Sequence, residues 1–84
     1  MGHKIYKLDI HGEEKRLALK KVQKLLTSLS DDYGELHIVH GYQHGRILQN
    51  AVRNELKHKR IKRKILTLNH GETIFLLNKS LKKK

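Results

Sequence analysis

The sequence predicts an α/β (α+β) two-layer sandwich: a mixed four-stranded sheet, β-α-β-α-β-β along the chain, with two helices on one face. Three observations predict it. An alternating polar/apolar segment is followed by one with helical spacing, and this happens twice before residue 58. Two further extended runs, joined by a short turn containing Gly71, then close the chain. Each of the first two strands has a single apolar face, so right-handed crossovers place both helices on the same side. The other face of the sheet is left open, with Lys7, Asp9, His11 and His37 along it.

Each element has its own signature. From Ile5 to His11, Tyr6, Leu8 and Ile10 alternate with Lys7, Asp9 and His11, the mark of a half-buried strand. From Glu13 to about Leu29, Ala18, Val22, Leu25, Leu26 and Leu29 recur at helical spacing, with Glu13 and Glu14 in the first turn where the helix dipole favours anions. Residues 30–34 carry turn chemistry, and Glu35 to His40 reads as the second strand. A glycine-bounded loop, Gly41 to Gly45, leads into a second helix from Arg46 to about His58, with Ile47, Leu48, Ala51, Val52 and Leu56 as its apolar stripe. A basic run, Lys57 to Lys64, precedes the third strand, Ile65 to Leu68. Asn69 to Glu72 then forms a hairpin connection to the last strand, Thr73 to Leu77.

With 84 residues and no proline or low-complexity linker, one domain over residues 1–78 followed by a basic tail at 79–84 is the economical division. The formal charge of +11, from 19 Lys+Arg against 8 Asp+Glu, points to a polyanionic partner, with RNA or DNA foremost. The absence of cysteine excludes disulfides, thiolate metal sites and cysteine nucleophiles. No apolar run approaches the roughly 18 residues of a membrane span, and no secretory leader is recognisable, so a cytoplasmic protein without a membrane partner is expected. Oligomeric state is not legible in these features.

Four groups of residues carry chemistry. In a strand, residues two apart share a face, so Asp9 and His11 stand side by side at a strand end, a geometry suited to acid–base work on a phosphate ester. Ligands of β-α sheets gather at the carboxyl ends of parallel strands, where His40, Gly41, Tyr42, His44, Gly45 and Arg46 also lie. There His40 and the backbone near Gly45 are expected to hold phosphate, and Tyr42 offers a ring for a base. Lys59, Arg60, Lys62, Arg63 and Lys64 are expected to grip a nucleic-acid backbone. Seven histidines invite a metal reading, but no helical His-x-x-x-His pair supports one. No resident metal or other cofactor is expected, and dependence on a divalent cation stays an open alternative.

The run Leu8-Asp9-Ile10-His11-Gly12, the helix after it, and then Ile38-Val39-His40-Gly41 and Gly45-x-Ile47 together resemble the Smr (small MutS-related) domain over roughly Lys7 to Leu77. That family is marked by an L-D-L-H-G motif and a later H-G-x-G-x-G loop. The resemblance implies a fold like the C-terminal domain of translation initiation factor three. It also implies binding to DNA or RNA and endonuclease activity that nicks or cleaves phosphodiesters, in some members on ribosomes. The family's D-x-H pair falls on Asp9 and His11, and its glycine loop on His40, Gly41 and Gly45. Gln43 stands where the family's central glycine does, and Tyr42 where a basic residue is common. A non-catalytic module that binds RNA or the ribosome is the alternative. No MutS-like ATPase region accompanies the domain, so no mismatch-repair motor is expected.

Overall fold

The computed structural model describes residues 3–42 and 46–79. Strand β1 (Lys4–Asp9) leads through a turn into helix α1 (Lys15–Ser28), which is followed by β2 (Tyr33–Val39). The second helix, α2, is α-helical over Ile47–Asn50 and continues as a π-helix over Ala51–Glu55, before β3 (Ile61–Leu66) and β4 (Glu72–Leu77). The sheet order is β1-β2-β4-β3, with β1 and β2 parallel and β4 antiparallel to both its neighbours. The predicted mixed four-stranded sheet with two helices is therefore the observed architecture.

Burial of one face of each element drives the packing. Ile10, Ala18, Val22, Leu26, Leu36, Ile38, Val52 and Phe75 are closed off from solvent, with Tyr6, Leu8 and Leu48 packed around them. Glu14 caps α1, its carboxylate accepting from the Leu17 N–H at 3.1 Å, so the helix starts at Lys15, two residues later than the sequence reading. The open face is less basic than its predicted residues imply, because Glu35 and Glu72 flank His37 there, at 2.8 and 3.3 Å from its two ring nitrogens. Among the described residues no helix is long and apolar enough to cross a membrane.

Several boundaries differ from the sequence reading, beginning with β1, which ends at Asp9 and leaves His11 in the turn beyond it, and α1, which starts at Lys15 rather than Glu13. Strand β2 starts at Tyr33 rather than Glu35, and the second helix ends at Glu55 rather than near His58. The Leu56 N–H bonds to the Ala51 carbonyl, five residues back, and this wide turn brings Leu56 into the core. Strand β3 starts at Ile61 rather than Ile65, so the second half of the basic run lies within the strand. A bulge between Ile61 and Arg63 breaks the alternation that would have revealed it.

Arg60 is the largest correction. It was expected to reach for phosphate, but it is completely buried beneath the C-terminus of α1. Its guanidinium donates to the Leu26 and Leu29 carbonyls, and its Nε to the Asn78 carbonyl at 3.2 Å. A helix end leaves its last carbonyls without partners, and here a cation supplies them. The Asp31 carboxylate lies 3.7 Å from Nη2, which balances the charge in part. Of the predicted basic tail only Lys79 is among the described residues, and it is exposed.

Candidate active site

Asp9 ends β1, and the chain turns at once through His11 and Gly12, whose φ of +79° favours glycine. One carboxylate oxygen organises this turn. Asp9 Oδ1 accepts the backbone N–H of His11 at 3.0 Å and its ring Nδ1 at 2.6 Å. The proton therefore sits on Nδ1 in the neutral ring, and Nε2 is the basic nitrogen. The hydrogen bond from Asp9 lifts the imidazole above its ordinary pKa, and the same bond holds the Asp9 carboxyl below the usual carboxylate value. Both side chains are more than half exposed, so the pair is open to a ligand.

His40 behaves oppositely. It is buried, and its burial pushes the ring below the ordinary histidine pKa. Its Nδ1 donates to the Gly41 carbonyl at 2.9 Å, and its Nε2 accepts from the Thr73 hydroxyl at 2.9 Å. That hydroxyl in turn accepts from Arg53 Nε at 2.8 Å, while Arg53 Nη2 donates to the Glu72 carbonyl at 3.0 Å. With both nitrogens engaged inside the protein, the direct phosphate contact expected of His40 is replaced by a supporting role. The chain from Arg53 through Thr73 and His40 fixes Gly41, whose φ is +73°. A Cβ at Gly41 would stand 3.4 Å from the Cβ of His11, so this glycine forms the close wall beside the dyad.

The hairpin between β3 and β4 completes the arrangement. The Gly71 carbonyl accepts the N–H groups of both His40 and Gly41, at 2.9 and 3.0 Å. Its own N–H donates to Asn69 Oδ1 at 2.9 Å, and a Cβ at Gly71 would crowd the Gly41 backbone at 3.4 Å. Between this turn, the dyad and the start of α2 lies a cleft of about 740 Å³, lined in part by His11, Gly41, Tyr42, Ile47, Leu48 and Asn69. Tyr42 is exposed and meets the His70 ring edge-on, with centroids 5.8 Å apart.

The predicted residues thus divide. Asp9, His11, His40, Gly41 and Tyr42 come together at the carboxyl ends of β1 and β2, and Arg46 stands exposed at the head of α2, next in the chain to the cleft residue Ile47. His44 and Gly45, with Gln43, lie outside the described residues. Lys59, Lys62, Arg63 and Lys64 are exposed at the opposite edge of the sheet, displaced sideways from β1 by three strand spacings of roughly 4.8 Å each. Lys64 also donates to the Arg53 carbonyl. Sequence reasoning missed Arg53, Thr73, Asn69 and Gly71; the one signal was a threonine opening an otherwise apolar final strand.

The fold and site define a small two-layer α/β module with an Asp-x-His dyad at a strand end. The structure is similar to the crystal structure of the Smr domain of Thermus thermophilus MutS2, with a TM-score of 0.73 and 25% sequence identity, covering 87% of this chain and 98% of that one. The chain is an Smr-like domain. No protein-family model matches it, and no curated protein matches it in sequence.

Proposed function

We propose that this Smr-like domain binds RNA or DNA and cleaves a phosphodiester with His11 as the proton-transfer residue. The observation that supports this most is the exposed Asp9–His11 pair, 2.6 Å apart, on the lip of a cleft at the carboxyl ends of two parallel strands. Asp9 holds the ring in one tautomer and raises its basicity. His11 Nε2 then takes the proton of the attacking oxygen, a 2′-hydroxyl in RNA or a water on either nucleic acid. As the new P–O bond forms, the bond to the leaving oxygen breaks, and the imidazolium returns a proton to that oxygen.

The positive charge needed for the polyanion sits elsewhere. Exposed Lys59, Lys62, Arg63 and Lys64 would hold phosphates that flank the scissile one, and the exposed Arg46 at the head of α2 would add positive charge. Such contacts make binding strongly salt-dependent and insensitive to sequence.

The test is a cleavage assay on end-labelled RNA and DNA with the protein, His11→Ala and Asp9→Ala. General acid–base catalysis is worth about 10²–10⁴-fold, so both variants are expected to lose at least 100-fold in rate while keeping salt-sensitive binding. Equal cleavage by the variants would overturn the assignment. Binding without products from any of the proteins would leave a nucleic-acid module that does not cut.

A further inference from the structure

We propose that the cleft beside the dyad is a nucleobase subsite that accepts an unpaired base, so that the domain selects single-stranded or looped nucleic acid over perfect duplex. The inference rests on the nucleic-acid reading above and names the substrate class for the same site.

The cleft has the wrong chemistry for phosphate and the right chemistry for a base. Its charged lining residues are already paired: Glu13 with Lys21 at 2.7 Å, Lys15 with Glu55 at 3.0 Å, and His11 with Asp9. Among the described lining residues no cation is left without a carboxylate partner. Its apolar and aromatic walls are Val39, Ile47, Leu48 and Tyr42. Ile47 is 67% exposed and Tyr42 45%, an unusual amount of apolar and aromatic surface to leave uncovered at the centre of a site on so basic a chain. The volume of about 740 Å³ falls inside the roughly 300–1,000 Å³ of small-ligand sites.

Two further features give the subsite direction. Asn69 reaches the wall with Oδ1 committed to the Gly71 N–H, whereas among the described residues its Nδ2 makes a long 3.5 Å contact with Glu72. That amide is able to donate to a carbonyl or ring nitrogen on the edge of a base. Tyr42 is braced edge-on against His70, which limits its swing and leaves a ring face for stacking. With the base between Tyr42 and the Ile47 side of the cleft, the attached phosphate lies toward His11 on the lip. A base inside a duplex is stacked on both faces and paired along its edge, and it has to leave the stack to reach Tyr42. Loops, bulges and single strands avoid that cost.

The experiment uses the full chain carrying His11→Ala to prevent turnover, and a short RNA with one 2-aminopurine, either single-stranded or annealed to its complement. Binding is followed by anisotropy and base stacking by 2-aminopurine fluorescence. The single strand is expected to bind more tightly than the duplex and to be quenched on binding. Adding Tyr42→Ala removes the quench and weakens single-strand binding roughly 10-fold, while Tyr42→Phe keeps both and duplex affinity does not move. Equal weakening of single strand and duplex by Tyr42→Ala, or tight salt-sensitive binding with no quench, overturns the subsite while leaving the nucleic-acid reading intact. Absence of any salt-sensitive binding overturns both.

Discussion

The two ends of the sheet use charge in opposite ways. At the carboxyl ends of β1 and β2, Asp9 and His11 form a hydrogen-bonded pair that solvent reaches freely. At the amino ends, Arg60 is completely closed off and ties the last turn of α1 to the end of β4 through three carbonyls. The difference separates residues that hold the fold from residues free to act on something else. Between the ends lies the relay from Arg53 to Gly41, which is partly buried and belongs to both, because it holds the fold where the fold meets the dyad.

Substitution at Arg60 should break the comparison most visibly. Arg60→Ala strands the Leu26, Leu29 and Asn78 carbonyls, and urea denaturation should show a loss of about 3–4 kcal/mol, the cost of removing several hydrogen bonds to a buried charged donor. Over the same titration His11→Ala should stay within about 0.5 kcal/mol of the parent, as surface substitutions do. If the two variants unfold together, the division between the ends is wrong.

The next largest effect belongs to the relay. Thr73→Val keeps the shape of the side chain but leaves Arg53 Nε without its acceptor and His40 Nε2 without its donor. A loss of about 1–3 kcal/mol is expected. A shift in the Gly41 amide resonance should accompany it, since His40 holds that residue's carbonyl; an unmoved resonance would show that the relay does not reach the site.

The smallest effect is in pH. His40 and His58 both have pKa values pushed below the ordinary 6.5, by burial first and then by a neighbouring arginine charge, so the fold holds their neutral forms. For His58 the geometry agrees, since Nδ1 accepts the Arg60 N–H at 3.1 Å. A histidine depressed in the fold leaves stability untouched above its unfolded pKa and lowers it as pH falls below 6.5. His11 has the opposite sign: its raised pKa adds stability that is complete below 6.5 and is lost as pH rises through the folded value. Denaturation midpoints measured from pH 8 to pH 5 should therefore decline toward acid, and less steeply in His58→Gln. A midpoint that rises toward acid would mean that the exposed dyad outweighs the buried rings.

Local relations were legible in the sequence and distant ones were not. Asp9 and His11 are two residues apart, so alternation brought them together in the sequence reading; in the structure β1 stops at Asp9, and it is the turn closed by the Asp9 carboxylate that sets His11 beside it. The apolar spacing of α1 likewise required no partner to be recognised. Arg60 read as one more solvated charge because its acceptors are backbone carbonyls, two of them 31 and 34 residues away, which carry no residue-type signal. His40 was located correctly at its strand end, but its neutral, buried state depends on Thr73 and Arg53, far along the chain. The start of β3 was hidden because an edge strand tolerates lysine on both faces and its bulge disrupts the period.

That same strand governs how the molecule behaves in a crowd. Being outermost in the sheet, β3 presents unpaired backbone groups to any second chain able to extend the sheet, the first step of aggregation. Lys62, Arg63 and Lys64 meet such a chain with like charge, and the bulge bends the edge away from a flat template. Solubility thus rests on the same side chains that are proposed to grip polyanions, so removing their charge to test that grip would cost solubility as well.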